Sequence, residues 1–253
     1  MRTFRAELHV HTVLSPCAEI EMLPPLIVAE ALERDIQVIA ITDHNTSGNV
    51  QAVMQTAEST GLTVLPGMEV QTREEVHSLC LFDSLEQAYV WQEIVRKKLP
   101  GLKNRADYFG DQLLVDQNGD FVAREEQLLL TSADISLEDA WRTVNQLGGL
   151  FIPAHVDRKA NGLIPLLGIV PPDIPWEALE ISRHIKPDQS TQVLPQVNGY
   201  PLIQDGDAHR LDEITGANLF SLEAPTIAEI RLAIRQAEGR SHRLLSQTRF
   251  QAA

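Results

Sequence analysis

Short apolar runs alternate with helix-forming runs along most of this chain, and that alternation leaves few folds open. Phe4–Val10 alternates in the way a strand does, and Pro24 and Pro25 stand where a helix would start, ahead of good helix formers over Leu26–Arg34. Ile36–Ile41 is a β-branched run of buried-strand length. Asn49–Ser59 reads as a second helix ended by Gly61, and Thr63–Pro66 as a third strand. Further strands are expected at Ser78–Phe82, Leu150–Pro153, Leu179–Ser182 and Pro201–Gln204, with helices at Ser136–Leu147 and Ile227–Ala237. Strands separated by helices predict an α/β fold with a largely parallel sheet, in a single domain over residues 1–253. About seven strands suit a TIM-like barrel.

One step breaks the pattern. Only seven residues lie between Glu69 and His77, whereas a parallel crossover needs a dozen or more. The segment from His77 is therefore expected to run antiparallel to its predecessor or to make a tight local turn, so the barrel should be irregular around its fourth strand. Residues 83–135 are the least regular part. Ser84–Lys98 looks like an amphipathic helix, and Leu113–Val122 carries Asn118-Gly119 between apolar runs, a hairpin signal. This stretch reads as an insertion on the barrel, a structural flap more readily than a lid or an oligomer contact.

Charge narrows the partners. Lys and Arg number 21 against 35 Asp and Glu, a net charge of −14. Such a chain lacks the basic footprint of a protein that grips long nucleic acid. A small anionic substrate would need local cations, for which a bound metal is the obvious source. No apolar run approaches the roughly 18 residues of a membrane helix, and the opening residues show no signal-peptide core, so a cytoplasmic location without membrane attachment is expected. Cys17 and Cys80 are the only cysteines, too few for a disulfide framework and in keeping with a reducing compartment.

The histidines carry the chemistry. His9 and His11 are two apart on one strand and so face the same way. His44 follows the second strand, Glu69 the third, and His77 comes shortly after. His155 ends Pro153-Ala154-His155, and Asp207 and His209 form a DxH pair beyond the last main strand. A single strand-end histidine is more often a hydrogen-bonded structural residue than a ligand. Eight ligand-type side chains at successive strand ends, however, would converge on one barrel mouth, where barrel active sites lie. Neutral imidazole and carboxylate suit zinc, iron and manganese.

In order, Glu7-Leu8-His9-Val10-His11-Thr12, Ala40-Ile41-Thr42-Asp43-His44-Asn45, Gly67-Met68-Glu69-Val70, His77, Pro153-Ala154-His155 and Asp207-Ala208-His209 resemble the PHP family, named for its polymerase and histidinol phosphatase members. The resemblance runs from Phe4 to about residue 220. It implies a distorted seven-stranded β/α barrel, two or three divalent metals (zinc, iron or manganese) at its mouth, and phosphoester hydrolysis. On the same resemblance, His9, His11, Glu69 and Asp207 match the holders of one metal. Glu69 matches a carboxylate bridging to a second, which His77 and His155 also bind, and His44 and His209 match ligands of a third. The third site usually takes another ligand from the loop after the HxH strand, and here Cys17 occupies the best-matching place. A thiolate there is chemically sound for zinc or iron. The alternatives are Glu19 as an oxygen ligand, or Cys17 as a small filler in a protein working with two metals. Asp43 could orient a ligand or cap the following helix, with Asn45 and Thr46 as rivals for the cap.

Two metals about 3.5–4 Å apart can share a bridging hydroxide as nucleophile and clamp the phosphoryl oxygens. Glu69 would bridge them, and Asp207 and His209 would act at the reacting centre as ligands rather than as free acids. Arg158, Arg183 and Arg210 lie close to strand-end motifs and are expected to contact substrate phosphate, the bland alternative for each being a surface salt bridge. His184 belongs to no motif, and His242 is expected to be solvated. These features predict a metal-dependent phosphoesterase acting on a small phosphorylated molecule, a phosphomonoester or nucleotide. The alternatives are a nuclease on short oligonucleotides, a metal-dependent amidohydrolase, which also begins with HxH but often uses a bridging lysine not found here, and a non-catalytic metal-binding scaffold.

Overall fold

The computed structural model describes residues 1–245. The chain begins with β1 (Arg2–Val10), α1 (Pro24–Glu33), β2 (Val38–Ile41), α2 (Val50–Ala57), β3 (Thr63–Gln71), β4 (His77–Leu81) and α3 (Leu85–Arg96). A single turn α4 (Ala106–Phe109) and a hairpin of β5 (Leu113–Val115) and β6 (Phe121–Arg124) come next. Then follow α5 (Leu137–Gln146), β7 (Leu150–Pro153), α6 (Leu163–Leu167), β8 (Leu179–Ser182), α7 (Ser190–Val193) and β9 (Leu202–Asp205). The last described elements are β10 (Asn218–Leu222), α8 (Ile227–Ile234) and β11 (Ser241–Leu244). Local chemistry sets several boundaries. Two prolines open α1, where their missing N–H groups cost nothing. Ser84 and Gln87 form a reciprocal capping box on α3, and Ser136 caps α5 by accepting from the Asp139 N–H.

The principal sheet has the order β11-β10-β1-β2-β3-β4-β7. Strands β1, β2 and β3 are parallel. Strand β4 turns back on β3 and pairs antiparallel from Gly67↔Leu81 to Gln71↔His77, and β7 pairs antiparallel with β4. The tight return expected after Glu69 is thus a hairpin, with Thr72 N–H on Val76 O at 3.0 Å and Glu75 at φ 65°. Strands β8 and β9 are parallel to each other. Two seams join this pair to the main sheet: Val156 N–H donates to Glu180 O at 2.8 Å, and Ala208 exchanges backbone bonds of 3.0 and 2.9 Å with His9 and His11. Through them β1, β2, β3, β4, β7, β8 and β9 curl into a seven-stranded α/β barrel. The barrel is distorted because β1 commits Arg2–Ala6 to an antiparallel ladder with β10, so the segment after β9 meets it only beyond His9. Strands β10 and β11 go beyond the elements expected from sequence.

Ala6, Leu8, Val38, Ala40, Leu65 and Leu79 pack together inside the curled sheet, with α8 in the same cluster. Helix α8 covers the amino-terminal mouth, where Ile227 N–H donates to Asp83 and Arg231 pairs with Glu177. Val10, Ile39 and Ile41 pack instead with α1 and α2, and Phe82, Trp91, Val144 and Phe151 form the larger core beneath α3 and α5. The polar loops gather at the opposite mouth.

The hairpin expected from Asn118-Gly119 is present. Its turn is built by Asp116, whose Oδ1 accepts the Asn118 and Asp120 N–H groups at 2.8 and 3.0 Å, with Gly119 at φ 83°. His242 is not a solvated residue. It lies on β11, stacked on Phe220 at 4.4 Å with a nitrogen 3.1 Å from Asn218 Oδ1, and burial pushes it down to about 4.

Candidate metal centre

A β-bulge aims the first two histidines. Between Glu7 and Val10 strand β1 slips register against β2, so Leu8 stays in the barrel core and Val10 turns to the helices. His9 and His11, both fully buried, point together into the carboxyl-terminal mouth. Each ring has its Nδ1 engaged. His9 Nδ1 lies 3.0 Å from Glu180 Oε1, an acceptor, and so carries its proton there. His11 Nδ1 lies 2.9 Å from Ser15 Oγ, whose hydroxyl donates to Asp43 Oδ1 at 2.7 Å, so His11 is the donor to Ser15. In the neutral rings both Nε2 atoms are therefore bare lone pairs.

Those two atoms are 3.1 Å apart. Glu69 oxygens lie 3.3 Å from His9 Nε2 and 3.5 Å from His11 Nε2, and Asp207 Oδ1 is 3.3 Å from both. Four donors around a cation at the usual distance of about 2.0–2.1 Å stand about 3.3–3.4 Å apart when tetrahedral. The donor set has the spacing of a metal site, and a cation among these buried lone pairs and carboxylate oxygens would offset their mutual repulsion.

Glu69 is the hub. Its Oε1 lies 2.9 Å from His77 Nδ1 and 3.0 Å from His155 Nε2, and its Oε2 is 2.8 Å from His44 Nδ1 with no hydrogen bond aligned on it. Burial would raise the Glu69 carboxyl, but His77, His9 and His44 outweigh it and hold the group well below the usual range. Burial takes His77 the other way, down to about 4. A third grouping joins His11, His44 and His209. Cys17, exposed at the mouth, sets its Sγ 3.1 Å from His209 Nε2. Burial opposes ionisation of this thiol, yet His44 and His209 lower it to about 6. Glu19 lines the same cavity as Cys17 and pairs with Arg210 at 3.1 Å.

Asp43 is no helix cap: it accepts from Thr12 N–H, Thr12 Oγ1 and Ser15 Oγ, each at 2.7 Å, and so braces the HxH loop. Helix α2 begins at Asn49 with no side-chain cap. His155 at φ 29° and Asp207 at φ 49° hold left-handed backbone, a conformation kept at sites where surroundings over-determine it.

Arg158, Arg183, His184 and Arg210 all line a cavity of about 510 Å³ above the histidines. The arginines already face carboxylates: Arg158 on Asp207, Arg183 on Glu213 at 2.6 Å, Arg210 on Glu19. Arg183 also donates to Gly206 O at 2.6 Å, and Glu213 accepts the His209 N–H at 2.9 Å. This arginine therefore clamps the loop that carries Asp207 and His209. Sequence reading passed over Arg183 as a clamp, and over Glu180 and Ser15, because their partners are remote in the chain or carry no motif.

The sequence pattern of the PHP domain matches residues 7–154, more than half the chain. The chain belongs to the PHP domain family. No curated protein matches its sequence. Among solved structures, the lesion-specific Endonuclease Q from Pyrococcus furiosus is similar with a TM-score of 0.73 at 19% identity, covering 95% of this chain and 58% of that one. This PHP chain thus spans little more than half the length of Endonuclease Q. A candidate metal-dependent phosphoesterase from Bifidobacterium adolescentis is similar at TM-score 0.55 and 18% identity, over 81% of this chain and 87% of its own. An amidohydrolase from Chromobacterium violaceum, solved with bound sulfate and no metal, is similar at TM-score 0.55 and 17% identity, over 83% and 90%. At these identities the likeness is one of fold. The PHP membership and the buried His/Glu clusters are consistent with a multi-metal site, without naming the metal.

Proposed function

We propose that the protein is a metal-dependent phosphoesterase that hydrolyses a small phosphorylated substrate, a phosphomonoester or nucleotide. The observation that carries this reading is the meeting of His9 Nε2, His11 Nε2 and the Glu69 and Asp207 oxygens at 3.1–3.5 Å, with both Nδ1 atoms already held by acceptors. His9, His11, Glu69 and Asp207 would hold one divalent metal, and Glu69, His77 and His155 a second. His11 also stands beside the third grouping, where His44, His209 and Cys17 would serve. Divalent metals there would supply Lewis acidity and ionise water near neutral pH. The chain's own part is positioning and charge. Glu180 and Ser15 fix the two HxH rings, and Arg183 fixes the DxH loop. Arg158 commits one nitrogen to Asp207, which leaves other donors of its five for an anion above the cluster. Arg210 stands beside it at the rim.

The cavity of about 510 Å³ and the net charge of −14 favour a small anion over a long polymer. A second reading, cleavage of short oligonucleotides, draws support from the fold shared with Endonuclease Q, one structure of which holds a 27-mer duplex with an abasic lesion. One experiment separates them. Metal per chain is counted on protein purified without chelator, and phosphate release from a panel of phosphorylated metabolites is compared with nicking of an abasic duplex, with added manganese or zinc. Two or three metals with turnover of metabolites supports the proposal. Nicking alone moves it to the second reading, and metals with neither activity would overturn both.

A further inference from the structure

We infer that Glu180 is a positioning residue that holds one ligand from each of two metal sites, and thereby ties the filling of one site to the filling of the other. The inference rests on the metal-centre reading above. Glu180 lies on β8 and is 1% exposed. Its Oε1 and Oε2 stand 3.0 and 3.1 Å from His9 Nδ1, and Oε2 also accepts the His155 backbone N–H at 2.7 Å. His9 serves the grouping with His11 and Asp207, whereas His155 turns its Nε2 to Glu69 Oε1 beside His77. One carboxylate thus grips a side chain in the first cluster and a backbone in the second.

Each grip has a physical consequence. An imidazole whose Nδ1–H is held by a carboxylate presents a bare Nε2 in a fixed orientation and becomes a stronger donor. The His155 grip acts on conformation. A histidine at φ 29° sits in a region most side chains avoid. Its own Nδ1 has no hydrogen-bond partner among the described residues, so the ring receives no fixing there. His155 is held by its N–H on Glu180 and its Nε2 on Glu69, with the Arg158 N–H on its carbonyl at 2.9 Å and its ring stacked on that of His9. The neighbouring backbone bond, Val156 N–H to Glu180 O at 2.8 Å, is part of the seam between β7 and β8. The side chain of Glu180 therefore sits where that seam meets the β1 strand end, and a shift of the carboxylate moves both clusters.

The test uses the full chain. Glu180→Gln keeps the shape of the side chain but removes the charge and sets an amide NH₂ against either the His9 Nδ1–H or the His155 N–H. Zinc affinity is measured by chelator competition, and the cobalt-substituted protein is followed by visible absorption. Glu180→Gln is expected to weaken both zinc ions together by about 10–100-fold and to change the cobalt spectrum. Ser15→Ala, which frees the His11 ring and the His44 N–H but leaves His77 and His155 untouched, is expected to weaken the zinc at His9 and His11 and leave the one at His77 and His155. If Glu180→Gln fails to fold by circular dichroism, Glu180→Asp, which keeps the charge but withdraws it from His9, is expected to show the same joint loss in lesser degree. Loss of a single zinc, or two zinc ions bound as tightly as in the wild type with an unchanged spectrum, would overturn the inference while leaving the metal-centre reading intact. A wild type that binds fewer than two zinc ions would overturn both.

Discussion

Single residues decide whether this mouth can hold cations, because His9, His11 and the Asp207–His209 loop each depend on a second group for their aim. Removing the aimed atoms should therefore be decisive. The double variant His9→Ala, His11→Ala is expected to lose at least one metal per chain by elemental analysis and more than about 100-fold in phosphate release. Cys17→Ser is expected to lower the occupancy of one metal only, since its Sγ stands beside His209 and His44 of the third grouping; unchanged stoichiometry would return Cys17 to a filler. Arg183 tests a different distinction. With donors on Gly206 O and Glu213, Arg183→Ala should loosen the Asp207–His209 loop, lowering kcat by about 10-fold or more and weakening metal retention. A rise in KM alone would mean that Arg183 serves the substrate phosphate after all.

At the scale of elements, the segment over residues 83–135 is tied to the site more closely than a loose flap would be. The β5 strand hydrogen-bonds the loop after β1 through Leu113 N–H to Val13 O at 3.1 Å. Buried Asn49 links the two, donating to Thr12 Oγ1 and Leu113 O at 2.9 and 3.0 Å and accepting from Val115 N–H at 3.1 Å. Thr12 in turn bonds Asp43, which bonds Ser15, which receives His11. Asn49→Ala would strand buried backbone groups and is expected to cost about 2–3 kcal/mol in chemical denaturation. It should also reduce metal occupancy, because the chain of bonds ends on a ligand. Normal stability in that variant would show that the hairpin is an independent appendage. The β-bulge in β1 belongs to this scale too: without it the ladder alternation that buries Leu8 would turn His9 outward.

Over the whole molecule, stability should depend on pH for a reason outside the site. Burial pushes His242 down to about 4, below the value near 6.5 expected in the unfolded chain. Between those values the unfolded state binds the extra proton, so stability is complete above about pH 6.5 and is lost as pH falls towards 4. His242→Phe keeps the stack on Phe220 and removes the titration. It is expected to flatten the fall in unfolding free energy across that window by on the order of 1–2 kcal/mol. An unchanged slope would mean that the packing of β11 against β10 does not govern acid sensitivity. No helix among the described residues is long and apolar enough to cross a membrane.

The sequence by itself determined the strands from β1 to β9, the longer helices, a return too short for a crossover at His77 and the supply of ligand-type side chains at strand ends. These follow from short-range physics: period, propensity, and a connection too short for a crossover. Tertiary structure alone decided the division of β1 between β10 and the segment after β9, and the roles of Glu180, Ser15 and Arg183. Glu180 meets His9 across 171 positions of chain, and Arg183 meets Glu213 across 30. Such contacts leave no local pattern, because burial beside a particular partner depends on how the sheet closes and not on which residues are neighbours in sequence.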